Sequence, residues 1–267
     1  MKTTTLILTA LAVSFAMSCV DEDVHMIHRQ EIQGGMETGA DFSNVIGLLI
    51  QRPGGGTGLC SGSLIAPNLV LTAQHCVAEI ASPYVICEQT PFGAKYPAAS
   101  FTVTTDNRVQ GAANTYNVSS VHVPEGGNDT CGFDMALLVL SSNVPAGAAT
   151  PLIPRLDTPS TIGESYTAVG YGHIGNGSGS GTRRYITNRV VECGDGTCPA
   201  NGSVTDTEVV GSDGTCQGDS GGAPIDANGY VFGALSRGPN GCAGSVYSST
   251  YAWADWIRQM GATAAQQ

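Results

Sequence analysis

Eight cysteines scattered between positions 60 and 242 constrain this chain more than any other feature. They are Cys60, Cys76, Cys87, Cys131, Cys193, Cys198, Cys216 and Cys242; a ninth, Cys19, stands apart near the start. An even set in an exported chain reads as a disulfide framework, which ties distant loops together. Zinc is the rival reading. Zinc sites draw on close cysteine pairs, and Cys193 with Cys198 has no second close pair beside it, so disulfides are favoured.

Export is legible at the N-terminus. Lys2 gives a positive start, and Leu6 to Met17 form a short, mostly apolar run before Ser18 and Cys19. That is the layout of a secretory signal and is too short to span a bilayer comfortably. One reading is an ordinary cut near Ser18. The other is a bacterial lipoprotein signal, in which a small residue precedes a lipid-bearing cysteine, here Cys19. Ala16 and Met17 depart from that second pattern. No later apolar stretch approaches about 20 residues, so a membrane is expected to be met only through a lipid on Cys19. The expected location is outside the cytoplasm: secreted, periplasmic or at the cell surface.

The bulk composition narrows the fold. Of the 267 residues 42% are hydrophobic and 12% charged, a globular balance. Glycine is abundant, and Thr, Ser and Val recur in short runs broken by turns, which favours an all-β body. The net charge is -11, and lysine occurs only at Lys2 and Lys95. Nucleic acid is excluded as a partner, because phosphate contacts need clustered cations.

Four parts follow from this. Residues 1–18 are a signal, and 19–31 a propeptide or lipid-anchored tether. Residues 32–150 form a front half, and 151–267 a back half with a C-terminal helix. Strands are expected at Val45–Ile50, Ser63–Ile65, Leu69–Thr72, Phe101–Thr105, Met135–Leu140, Tyr166–Val169 and Tyr230–Leu235. The stretch Val144–Pro154 reads as the link between halves, and Gly175–Gly181 as a surface loop. Trp253, Trp256, Ile257 and Met260 recur at helical spacing, predicting a helix over Tyr251–Met260 that Gly261 stops.

Three segments carry chemistry. The first is Thr215–Pro224, TCQGDSGGAP. A serine attacks only when a base takes its proton and N–H groups can hold the resulting oxyanion. Glycines around Ser220 permit the tight turn this needs. The second is Leu71–Val77, LTAQHCV, where His75 offers a group that titrates near neutrality. The third is Phe133–Leu140, FDMALLVL, with Asp134 at the mouth of an apolar strand. A carboxylate buried there needs a partner, and an imidazole N–H suits it. In isolation, the bland readings are a structural histidine beside a disulfide and a strand-capping aspartate.

Together the three resemble the chymotrypsin/trypsin-like serine proteases, whose order His, Asp, Ser is matched by His75, Asp134 and Ser220. The resemblance covers about 32–260. It implies two packed six-stranded antiparallel β-barrels with the cleft between them, and a serine endopeptidase acting on proteins or peptides. Gly218 and Ser220 would supply the oxyanion N–H groups. Cys60 with Cys76 resembles the family's histidine-loop disulfide, and Cys216 with Cys242 the one bracing the specificity pocket. The remaining four depart from the familiar vertebrate set of that family; Cys87, which follows the histidine segment, is expected to pair with Cys131, three residues before Asp134, and Cys193 with Cys198 to close a small loop. Gly170–Gly172 resembles a strand motif opening the second half, and Ser236 lies in a segment resembling the one that pairs with substrate.

The resemblance also implies activation. Ile32–Gly35, IQGG, resembles the mature N-terminus that turns inward onto the aspartate before the nucleophile, here Asp219. Gln33 and Glu31 depart from the family's usual residues, so a separate activating protease is expected. Pocket candidates are Asp213, Gly214, Thr215, Ser236, Gly238 and Ser245. Gly214 matches the pocket floor and is neutral. Asp213 is either a solvated turn residue or, after a one-residue shift, a determinant for Arg or Lys; a neutral preference is the leaning. No cofactor or metal is expected, and a monomer is. A catalytically silent binding protein on the same fold is the second reading, though every triad and oxyanion residue is present. An esterase or lipase would place the three side chains in a different order along the chain.

Overall fold

The computed structural model describes residues 35–80, 82, 84–174, 178–198, 203–239 and 242–266. Cys19, Glu31 and Ile32 lie outside the described residues, as do residues 175–177 of the Gly175–Gly181 loop.

The front half runs through β1 (Met36–Glu37), β2 (Val45–Gln51), β3 (Thr57–Ala66), β4 (Leu69–Thr72), β5 (Ala78–Ile80), β6 (Phe92–Lys95), β7 (Phe101–Thr104), β8 (Thr115–His122) and β9 (Ala136–Leu140). Strands β2, β3, β4, β9, β8 and β7 close into a barrel in that order, every pairing antiparallel. Closure leaves no open edge. β5 and β6 form a separate hairpin.

The back half holds β10 (Ile153–Pro154), β11 (Ser165–Gly170), β12 (Arg184–Cys193), β13 (Glu208–Gly211), β14 (Ala223–Asp226), β15 (Tyr230–Val231), β16 (Gly233–Arg237) and β17 (Ser245–Ser249). The order is β10-β15-β14-β11-β12-β13-β17-β16, with β1 on β12. Three of these nine strands, β1, β10 and β15, are two residues long. The other six make the second, nearly closed barrel of a chymotrypsin-like fold.

Strand β4 shows how the sequence builds two cores at once. Val70 points into the front barrel with Ile46, Leu48, Phe101 and Leu138. Leu69 and Leu71 point outward, onto Met135, Leu137 and Ile257. A strand covered on both faces reads as a continuous apolar run, as LVLT does. The outer cover is the C-terminal helix, Ala254–Ala264. In the back half Tyr166, Phe232 and Tyr247 pack edge to face around Val191, Val209 and Leu235. A fourth cluster, with Val45, Leu152, Val169 and Ile225, joins the halves.

Two local expectations are corrected. The run Tyr230–Leu235 is two strands, because the chain changes partner at Phe232: Val231 pairs with Ile225 of β14, whereas Gly233 begins pairing with Ser249 of β17. The C-terminal helix begins three residues late and passes through Gly261, since Ala264 beyond it packs against β4 and accepts from Asn68 Nδ2. The stretch Val144–Pro154 runs from the front barrel to β10 of the back half and is packed on the way, with Val144 and Ala149 buried in the front core.

Candidate active site

Strand register sets the site. β4 and β9 are antiparallel, with Thr72 opposite Ala136. His75 lies three residues after Thr72 and Asp134 two before Ala136, so both arrive at one rim of the front barrel. His75 sits in a short 3-10 turn, Gln74–Cys76, closed by Val77 N donating to Gln74 O at 2.9 Å. A disulfide from Cys76 to Cys60 ties that turn to β3. The other disulfides join Cys87 to Cys131, Cys193 to Cys198 and Cys216 to Cys242. Cys60, Cys76 and His75 cluster closely enough to suggest metal ligands, but the sulfurs are bonded to each other and are no thiolates.

Asp134 is fully buried and His75 is 19% exposed. The His75 ring Nδ1 lies 2.7 Å from Asp134 Oδ2, and the His75 backbone N–H donates to Oδ1 at 2.8 Å. Ser236 Oγ donates to Oδ2 at 2.6 Å, and Ser248 Oγ to the Asp134 carbonyl at 2.8 Å. Burial disfavours charge on either partner. Each partner's charge and hydrogen bonds outweigh that, so His75 titrates above 6.5 and Asp134 below the usual carboxylate range. For His75, Arg237 acts in the lowering direction.

Ser220 approaches from the back half. Its carbonyl accepts from Ser61 N at 2.7 Å, and Ser61 Oγ donates to Gly218 O at 3.0 Å. The next residue fits only as glycine: at φ 77°, a Cβ on Gly221 would meet Thr72 Oγ1 at 2.2 Å and Ser61 O at 2.3 Å. The serine turn is thus pressed against the residues that lead into His75. Among the described residues, neither the Gly218 nor the Ser220 N–H is engaged by another group. A helper that sequence reading missed is Ser61, in LCSGSLI; its hydroxyl also accepts from Tyr171 N at 2.8 Å.

Asp219 points inward. Its carboxylate accepts from Gly172 N at 2.7 Å and Cys216 N at 2.9 Å. It fills the space where a Cβ on Gly172 would sit, within 2.5 Å. Burial lifts its pKa to about 7, against the pull of those two N–H groups and of Arg184.

The pocket candidates separate. Thr215 and Ser245 are buried and share a hydrogen bond of 2.6 Å, and Ser245 Oγ donates on to Ser212 O at 3.2 Å. Gly238 lies so close to Gly244 O that a Cβ there would meet it at 2.3 Å. Gly214 packs beside Ile186 and Arg189. The Asp213 carboxylate is held by Arg189 Nη1 at 2.6 Å, with its side chain 49% exposed. Ser236 turns toward Asp134. A cleft of about 810 Å³ opens alongside, lined by Ile86, Val204, Arg237, Pro239 and Val246 among others.

A two-barrel β-protein with an imidazole–carboxylate pair on one half and a glycine-framed serine on the other defines a class, and the comparisons agree. The trypsin family model matches residues 33–257, and the chain belongs to that family of serine proteases. It is 28% identical to trypsin alpha of Drosophila melanogaster over 215 residues, covering 77% of this chain and 76% of that protein. It is 28% identical to the CLIP domain-containing serine protease HP8 of Bombyx mori, covering 86% of this chain and 69% of that protein. The solved structure titled "Structure of GrC" superposes with a TM-score of 0.68 at 20% identity, covering 85% of this chain and 98% of that one, a likeness of fold.

Proposed function

We propose that this chain is a serine endopeptidase that cleaves peptide bonds through an acyl-enzyme on Ser220. Neutral His75 takes the Ser220 proton on Nε2 while Oγ bonds to the scissile carbonyl carbon. The carbonyl oxygen becomes an oxyanion facing the Gly218 and Ser220 N–H groups. The C–N bond then breaks, and the imidazolium returns the proton to the departing amine. Water repeats the sequence to free the serine. Asp134 holds the ring in the tautomer that leaves Nε2 free and stabilises the imidazolium. The observation that carries this reading is the buried Asp134 accepting from both the ring and the backbone of His75.

The same reading makes the chain a latent precursor. Cleavage after Glu31 frees the Ile32 ammonium to pair with Asp219. Supporting this, Asp219 is a buried carboxyl with a raised pKa and no ion pair among the described residues. For the side chain before the scissile bond, the neutral Thr215–Ser245 hydroxyls and the capture of Asp213 by Arg189 favour a small-to-medium apolar residue.

The disulfides fit an oxidising compartment, and among the described residues no helix is long and apolar enough to cross a membrane. The protein is read as an exported monomer. Intact mass decides between a cut near Ser18 and a lipid on Cys19.

The central test is labelling of the Ile32-started protein by a fluorophosphonate probe, followed by cleavage of a peptide library. Labelling that disappears in Ser220→Ala supports the reading. A wild-type protein that neither labels nor cleaves is a silent binding protein. Cleavage only after Arg or Lys overturns the pocket assignment.

A further inference from the structure

We infer that Glu208 is a positioning residue for the Asp134–His75 pair, fixing both the turn that presents Asp134 and the guanidinium that orders the Ser236 hydroxyl. The inference rests on the proposed roles of those two residues.

Glu208 opens β13 in the back barrel and is fully buried. A buried carboxylate must be fully partnered, and three of the four hydrogen bonds to this one lead toward the site. Its Oε1 accepts from Gly132 N at 3.0 Å, two residues before Asp134. The same oxygen takes Arg237 Nη1 at 2.5 Å, and Oε2 takes Arg237 Nη2 at 3.0 Å, a forked pair. Oε2 also accepts from Thr205 N at 2.9 Å, fixing the loop in front of β13.

Arg237 extends the chain of bonds. Its Nη1 donates to Ser236 Oγ at 3.2 Å, and Ser236 Oγ donates to Asp134 Oδ2 at 2.6 Å. A hydroxyl has one proton. With Arg237 supplying a donor to the Ser236 oxygen, that proton is left for Asp134. The Gly132 arm is braced separately: Thr207 Oγ1 and Trp253 Nε1 both donate to the Gly132 carbonyl, at 3.0 and 3.2 Å. Glu208 therefore reaches Asp134 by two routes, through the backbone of its turn and through the Arg237–Ser236 relay.

The arrangement also has an electrostatic side. The charged groups acting on His75 are Asp134, ahead of β9, and Arg237, at the end of β16. Arg237 is only 14% exposed, and Glu208 is the carboxylate paired with it. Neutralising Glu208 leaves the cation uncompensated and disfavours the imidazolium.

The test uses the Ile32-started protein with a peptide it cleaves, and follows kcat, KM and the pH profile of kcat/KM. In Glu208→Gln we expect kcat to fall about ten- to a hundredfold with KM little changed, as for a misplaced orienting group. We also expect the acid limb to move down by about 0.5 pH unit. In Glu208→Gln with Arg237→Met, the limb returns toward its wild-type position. Where Glu208→Gln fails to fold, Arg237→Met alone must move the limb upward. A wild-type limb and kcat in Glu208→Gln overturn the inference, as does equal loss in all variants with no shift of the limb, the signature of a merely structural residue. A wild-type protein inert to fluorophosphonate instead sinks the catalytic reading itself.

Discussion

Asp134 holds His75 twice, taking the backbone N–H on one carboxylate oxygen at 2.8 Å and the ring Nδ1 on the other at 2.7 Å. The two bonds fix the ring's position and its tautomer together. An amide at 134 would present a donor to Nδ1 and favour the wrong tautomer. Asp134→Asn is expected to lower kcat by about 10⁴-fold while the protein stays folded, checked by steady-state kinetics beside circular dichroism.

The same pairing sets the pH profile. His75 titrates above 6.5, and only its neutral form accepts a proton. Activity should therefore vanish as pH falls through a value above 6.5. An acid limb centred well below 6.5 would contradict the ion pair.

Asp219 gives an opposite pH signature in the uncleaved precursor. Its folded pKa of about 7 lies above the ordinary 3.8, so the folded state holds the proton longer than the unfolded chain. Stability should fall as pH rises from about 4 to about 7 and then level off. Asp219→Asn should flatten that slope in urea titrations of the precursor. Processing that frees Ile32 should abolish the slope as well, because an ammonium partner lowers the carboxyl pKa.

The disulfide from Cys87 to Cys131 anchors the turn before Asp134 and spans 44 residues. Replacing both cysteines by serine should cost about 4 kcal/mol by the chain-entropy relation. It should also lower kcat, because Cys131 is three residues from Asp134. Denaturant melts and kinetics on one sample measure both effects.

Gly221 has no room for a methyl group. Gly221→Ala would drive a Cβ into Thr72 Oγ1 and Ser61 O at a positive φ. Fluorophosphonate labelling should fall by at least about tenfold, from displacement of the serine turn.

Much of this was legible in the sequence because the chemistry is local. Ser220 announces itself through flanking glycines that a tight turn requires. Leu69–Thr72 reads as a strand because its side chains are apolar throughout. The C-terminal helix was visible from Trp253, Trp256 and Ile257, but its end was not: Gly261 looks like a stop until Ala264 is seen against β4. Tyr230–Leu235 hides a change of partner at Phe232, which periodicity cannot register. Glu208 was invisible as a site residue. Its partners Gly132 and Arg237 lie 76 positions before it and 29 after it, and nothing local marks their meeting.

Ser236 and Ser248, which bond Asp134, and Glu208, which holds Gly132 in the turn before it, all come from the chain's second half, whereas His75 belongs to its first. A polypeptide emerging during synthesis thus owns the imidazole long before it owns the clamp. On the proposed reading, cutting power is acquired only after the second half has been made and docked, and a truncated copy lacks it.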